Sequence, residues 1–165
     1  VGDGATDSDD FVADTTVESD LELLLPADYV PQESERISLY RELDNIERQD
    51  DLEAFAARLI DRFGPIPAVA RELLLVPRLR RDARRLGIEK VVLKNGKMYT
   101  YFVDASNIAY YQSAMFGRML SYLNLNSRRV HIRENAGRRS FVIDSVPTVH
   151  DAVSAPETAL TLPVA

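Results

Sequence analysis

At 165 residues with 45% hydrophobic side chains, the chain is long enough to bury a core, yet no apolar run approaches the roughly 18 residues that span a bilayer and no signal-peptide pattern occurs. The absence of cysteine excludes a disulfide framework and a thiolate metal site, and fits a reducing compartment, so the cytoplasm is the expected location. The net charge of −6 divides into eleven acids without a Lys or Arg in residues 1–35 and a surplus of about five bases over residues 36–165, too diffuse for a dedicated nucleic-acid binder.

Residues 1–16 are rich in Asp and Gly and carry only Phe11 and Val12 as sizeable apolar groups, a composition expected of a disordered acidic leader or linker. Because the chain starts with valine, it reads as a piece of something longer. One α+β domain is expected over residues 17–153, followed by a frayed Pro- and Thr-rich tail over 154–165. Val17, Ser19, Leu21, Leu23 and Leu25 alternate with acids up to Pro26, which predicts a strand. Ile37, Tyr40, Leu43 and Ile46 then predict a helix over 33–48.

Asp50 and Glu53 have capping-box spacing and start a second helix, whose stripe of Leu52, Phe55, Leu59 and Phe63 ends at Gly64-Pro65. Pro67 opens a third helix that runs to Gly87, with Pro77 predicted to kink or split it. Ile88–Lys94 and Lys97–Val103 flank Asn95-Gly96, the strongest two-residue hairpin signal. A helix over Asn107–Leu125 follows, and then a second hairpin, Arg129–Glu134 and Arg138–Ser145, across Asn135-Ala136-Gly137. Thr148 can cap a short last helix through Val153. N-terminal helices with a helix-corner-helix, then hairpin-helix-hairpin, make an α+β fold with an antiparallel sheet of four or five strands packed against helices.

The corner at Ile60–Pro67 is the informative stretch. Asp61 lies in the last turn of its helix, where the macrodipole disfavours an acid by roughly 0.3–1 kcal/mol, whereas Arg62 is favoured there. Adjacent helical residues diverge, so the two cannot neutralise each other, and Arg58 to Asp61 is the weaker order for an i,i+3 pair. Two readings stand: a solvated helix end, or charges presented to a partner surface.

Few other residues can carry chemistry. There is no phosphate-binding glycine loop, His131 and His150 lack metal-ligand spacing, and no nucleophile is tied to a histidine, so no catalytic residue, cofactor or metal is expected. Arg78, Arg80, Arg81, Arg84 and Arg85 crowd the end of the third helix. With Lys94, Lys97, Tyr99 and Tyr101 of the first hairpin they form the alternative site, a nucleic-acid-binding surface, against which stands a solvated helix face and cross-strand tyrosine pairs.

The order Leu25-Pro26-Ala27-Asp28-Tyr29-Val30-Pro31, Glu35-Arg36, Ile60-Asp61-Arg62-Phe63-Gly64-Pro65-Ile66-Pro67, Leu79-Arg80 and Leu86-Gly87-Ile88-Glu89-Lys90 resembles the C-terminal domain of the bacterial transcription-repair coupling factor family (Mfd), over residues 17–149. The resemblance implies a non-catalytic regulatory domain that follows an ATP-driven DNA translocase in a protein acting on stalled RNA polymerase. It also implies packing on an N-terminal UvrB-like module of the same chain, which masks the surface that recruits UvrA in nucleotide-excision repair. Asp61 and Arg62 match the family's polar interface residues at the corner, and Arg58 departs from an acid usual there. No membrane is implied, and DNA contact by this domain is not.

Overall fold

The stripes of Tyr40, Leu43 and Ile46 on one helix and Leu52, Phe55 and Leu59 on the next close on each other in the computed structural model, which describes residues 11–165. Two compact units separate where one continuous domain is expected: Glu22–Arg78, and residues 11–21 together with Leu79–Ala165.

The first unit is helical, with α1 (Glu33–Asp44), α2 (Gln49–Phe63), α3 (Ala68–Leu74) and the start of α4 (Val76–Arg85). Leu25, Val30, Leu43, Leu52, Phe55, Leu59, Ala70 and Leu74 form its buried core. Helix α1 stops four residues short of the expected Arg48, because Asn45 and Ile46 turn back on Glu42 and Leu43 with N–H···O distances of 3.1 Å, and this tight turn sends Ile46 into the core. The capping box at Asp50 does not form. Arg48 is the N-cap, and Asp50 sits in the first turn of α2, where the dipole favours it, 3.6 Å from the Arg48 guanidinium. Pro77 splits the third helix instead of kinking it: α3 closes on Leu75, and Pro77 falls in the first turn of α4, where a missing N–H costs nothing.

The second unit is a five-stranded sheet, β1 (Thr16–Ser19), β2 (Ile88–Lys94), β3 (Lys97–Phe102), β4 (Val130–Asn135) and β5 (Arg138–Ile143), with α5 (Ile108–Tyr111), α6 (Ala114–Leu125) and α7 (Val149–Thr161). The strand order is β1-β2-β3-β5-β4. The α+β class and both hairpins agree with the sequence reading. The antiparallel expectation fails only at β1, which pairs parallel to β2 with Val17 opposite Val91. The long helical excursion between them supplies the crossover that a parallel pair requires.

Four further boundaries differ. The first strand is Thr16–Ser19, not an alternation carried to Leu25, because Leu25 belongs to the helical core, where its N–H donates to the Tyr40 hydroxyl at 2.8 Å. Of the expected leader, residues 1–10 lie outside the described residues, but Val12 and Thr15 are buried, and the Thr15 hydroxyl donates to the Ile88 carbonyl at 2.7 Å. The helix over 107–125 breaks at Gln112, and Ser113 caps α6 by accepting from the Phe116 N–H. Finally, the tail does not fray at Ser154: α7 continues to Thr161, burying Val149, Ala152, Val153, Pro156 and Ala159 along one stripe. Thr148 caps that helix as expected, accepting from the Asp151 N–H at 3.0 Å.

Both hairpins turn on two residues at positive φ, Asn95 (55°) with Gly96 (73°), and Ala136 (52°) with Gly137 (80°). The expected three-residue turn thus loses Asn135 to β4, paired with Arg138. Between α4 and β2, Gly87 adopts φ 80° against the ring of buried Tyr110, whose hydroxyl donates to the Leu86 carbonyl at 2.6 Å.

Candidate functional site at the helix corner

Helix α2 ends when Gly64 takes φ 89° and its N–H closes on the Ile60 carbonyl at 2.9 Å. The orphan carbonyls beyond are claimed by Tyr29, whose hydroxyl lies 2.8 Å from the Gly64 carbonyl and 3.2 Å from that of Leu59. Its ring stands 5.6 Å from that of Phe63. Partial burial raises the Tyr29 hydroxyl above the ordinary tyrosine range, which keeps it a donor. Arg36 donates to the Val30 and Pro31 carbonyls at 2.7 and 3.0 Å, and Arg71 to that of Ile66 at 2.8 Å. The tyrosine and arginines of the sequence motifs around the corner are therefore structural: they fix its backbone.

The charges on the helix face are divided differently. Arg58 forks onto Glu42 of α1, which holds its guanidinium above the ordinary range, and lies 5.6 Å over the Phe55 ring. Arg62 pairs with Glu35 and lies 5.0 Å over the Phe63 ring. Both arginines are thus held by α1, an arrangement legible in the spacing: Glu35 and Glu42 are seven apart on one helix, and Arg58 and Arg62 four apart on the next. Asp61 is exposed and makes no hydrogen bond or ion pair among the described residues. It edges a concavity of about 240 Å³ whose lining is Leu39, Phe55, Leu59 and Phe63 with Arg58 and Arg62. The concavity thus combines an apolar floor with an acid that has no partner among the described residues and two guanidinium groups held by α1.

The alternative surface does not assemble in the same way. In α4, Arg84 donates to the Val12 carbonyl at 3.3 Å, and Arg81 lies 3.7 Å from buried Asp82. Arg85 is exposed, while Arg78 and Arg80 are half-buried and neither is without a partner. On the first hairpin, Tyr99 and Tyr101 face away from the buried Met98, Thr100 and Phe102. Arg138 stacks 5.5 Å over Tyr101, and Lys97 pairs with Asp144 at 3.4 Å. Much of the basic surplus is therefore neutralised within the protein.

His131 approaches Asp144 across the second hairpin, with Nε2 2.9 Å from Oδ2, and His150 is exposed. No group of three or more potential metal ligands occurs among the described residues. The His131 hydrogen bond, and then Lys97, hold the Asp144 carboxyl below its ordinary range. A depressed folded-state pKa stabilises fully above the unfolded carboxylate value, near 4, and is lost as pH falls through the folded value. The melting temperature of Asp144→Asn is therefore expected to fall less steeply than that of the wild type between about pH 5 and pH 2, and parallel curves would contradict this.

No helix among the described residues is long and apolar enough to cross a membrane. The TRCF domain family model matches residues 19–113. The transcription-repair-coupling factor of Escherichia coli K12 is 42% identical over 77 residues, 47% of this chain and 7% of that protein. That of Rickettsia prowazekii is 28% identical over 116 residues, 70% of this chain and 10% of the relative. The chain thus spans a tenth or less of the length of these relatives. A crystal structure described as the C-terminal domain of transcription-repair coupling factor superposes with a TM-score of 0.71 over 89% of this chain and 93% of the other, at 20% identity, a likeness of fold. With more than half its length matched by the family model and its fold shared with that domain, the chain belongs to the TRCF domain family.

Proposed function

We propose that this chain is a non-catalytic regulatory domain of a cytoplasmic transcription-repair coupling factor. Its corner packs on an N-terminal UvrB-like module of the same protein and masks the UvrA-binding surface. The parent protein is an ATP-driven DNA translocase that acts on stalled RNA polymerase, and this domain holds it closed. One observation carries the reading: Asp61 is exposed without a partner at a helix C-terminus while the arginines beside it are held by α1. An acid kept where the dipole opposes it answers to something beyond its own helix.

Arg62 contributes its outward N–H groups to the same interface. Arg58, where the resemblance implies an acid, is neutralised by Glu42, so its reversed charge is compensated inside the domain. Because Arg62 also pairs with Glu35, Asp61→Lys is the cleaner variant. In the full-length protein Asp61→Lys is expected to open the closed state, so that immobilised UvrA captures more of it than of wild type. The isolated domain should melt at the same temperature or slightly higher. Unchanged capture would refute the masking role.

A further inference from the structure

The second hairpin carries a feature that the corner does not absorb. Strand β4 is an edge of the sheet, and of its six residues only Val130 is buried. Because the turn has two residues, Asn135 and Arg138 form a hydrogen-bonded pair, and the pattern alternates from there. His131, Arg133 and Asn135 point their backbone groups at β5. Ile132 and Glu134 point theirs outward, and the Ile132 side chain is 56% exposed. The neighbouring Val130 N–H is already taken by the Asn126 carbonyl at 2.9 Å, which marks where the open edge begins.

Charge surrounds this edge unevenly. Residues 128–139 hold five arginines and one acid. Arg139 pairs with Glu134 at 3.3 Å, Arg138 with Glu89 at 3.3 Å, and Arg129 donates to the Asp144 carbonyl at 3.1 Å. Arg128 and Arg133 are exposed, and their guanidinium groups make no hydrogen bond or ion pair among the described residues. Proline and bulges, two devices that blunt natural edges, are absent from β4 in its register with β5, which leaves the charges of Arg133 and Glu134 as its edge guards.

We propose that β4 is a second docking edge, on which an extended acidic segment of a partner protein adds as a sixth strand. Its backbone would pair with the N–H and C=O groups of Ile132 and Glu134. An acidic side chain would meet Arg133 on one face of the sheet, and an apolar side chain would cover Ile132 on the other. Strand addition explains why a backbone edge, an exposed isoleucine and unpaired cations coincide, whereas a nucleic acid would use the cations alone.

The test titrates the 165-residue chain into a fluorescein-labelled nonapeptide of alternating glutamate and valine, read by anisotropy. Binding is expected to weaken at least tenfold in Arg133→Glu and to be lost in Ile132→Pro, which deletes an outward N–H that β5 does not use. Peptide N-methylated at alternate amides should not bind, and in the unmodified chain saturating peptide should slow amide exchange at Ile132 and Glu134. No binding, or binding indifferent to N-methylation and to Ile132→Pro, would overturn strand addition. Preferential binding of duplex DNA abolished by Arg133→Glu would reassign the edge to nucleic acid, and a self-association abolished by Ile132→Pro would reassign it to a second copy.

Discussion

Gly87→Ala is expected to destabilise the protein more than any surface substitution discussed above, by about 3 kcal/mol or more. A Cβ at position 87 would lie 2.1 Å from Cε1 of Tyr110 and 2.7 Å from Cζ, and the φ of 80° is itself strained for a non-glycine residue. Tyr110 cannot retreat. It is fully buried, its hydroxyl is fixed on the Leu86 carbonyl, and its ring meets Tyr111 at 4.9 Å and Phe116 at 5.4 Å. Burial drives its hydroxyl well above the ordinary tyrosine range, which keeps it a donor to the Leu86 carbonyl. Urea unfolding followed by circular dichroism reads the loss. A change under about 1 kcal/mol would show that the turn relaxes at little cost.

Phe55→Ala should cost about 3–5 kcal/mol in the helical unit, as large-to-small core changes do. Phe55 is 1% exposed, packs in the cluster with Leu52 and Leu59, and supports both the concavity and the Arg58 guanidinium above it. Arg58→Ala, by contrast, breaks an exposed pair with Glu42 and should change stability by no more than about 1 kcal/mol. The contrast separates what builds the surface from what the surface presents. Equal losses in the two variants would mean that the rim charges are part of the core's support.

The fold was legible wherever one local signal dominated. Asn95-Gly96, Thr148 and Gly64-Pro65 each dictate a backbone geometry, and the structure has it. The reading failed where tertiary contacts decide. Alanine at positive φ is not chosen by propensity, so the sequence pattern starts the Ala136-Gly137 turn one residue early, at Asn135. Pro156 and two threonines make the end of α7 read as frayed, although Val149, Ala152, Val153, Pro156 and Ala159 share a face that the rest of the unit buries. Parallel pairing of β1 depends on where the chain returns after more than sixty residues, which no local pattern records. At the corner, sequence isolated Asp61 and Arg62 but missed that Arg62 and Arg58 are neutralised from α1, and that Tyr29 anchors the turn.

In the proposed closed state Asp61 faces another module, not its own fold. The direct measurement is isothermal titration of this chain, wild type and Asp61→Lys, into the N-terminal module of its parent protein, with thermal melts of both chains. Loss of charge-assisted contacts worth roughly 1–3 kcal/mol should raise Kd by about ten- to a hundredfold. Removing an acid from a helix C-terminus should leave the melting temperature unchanged or slightly raised. An unchanged Kd together with a lowered melting temperature would contradict the account, assigning Asp61 to the domain's own stability.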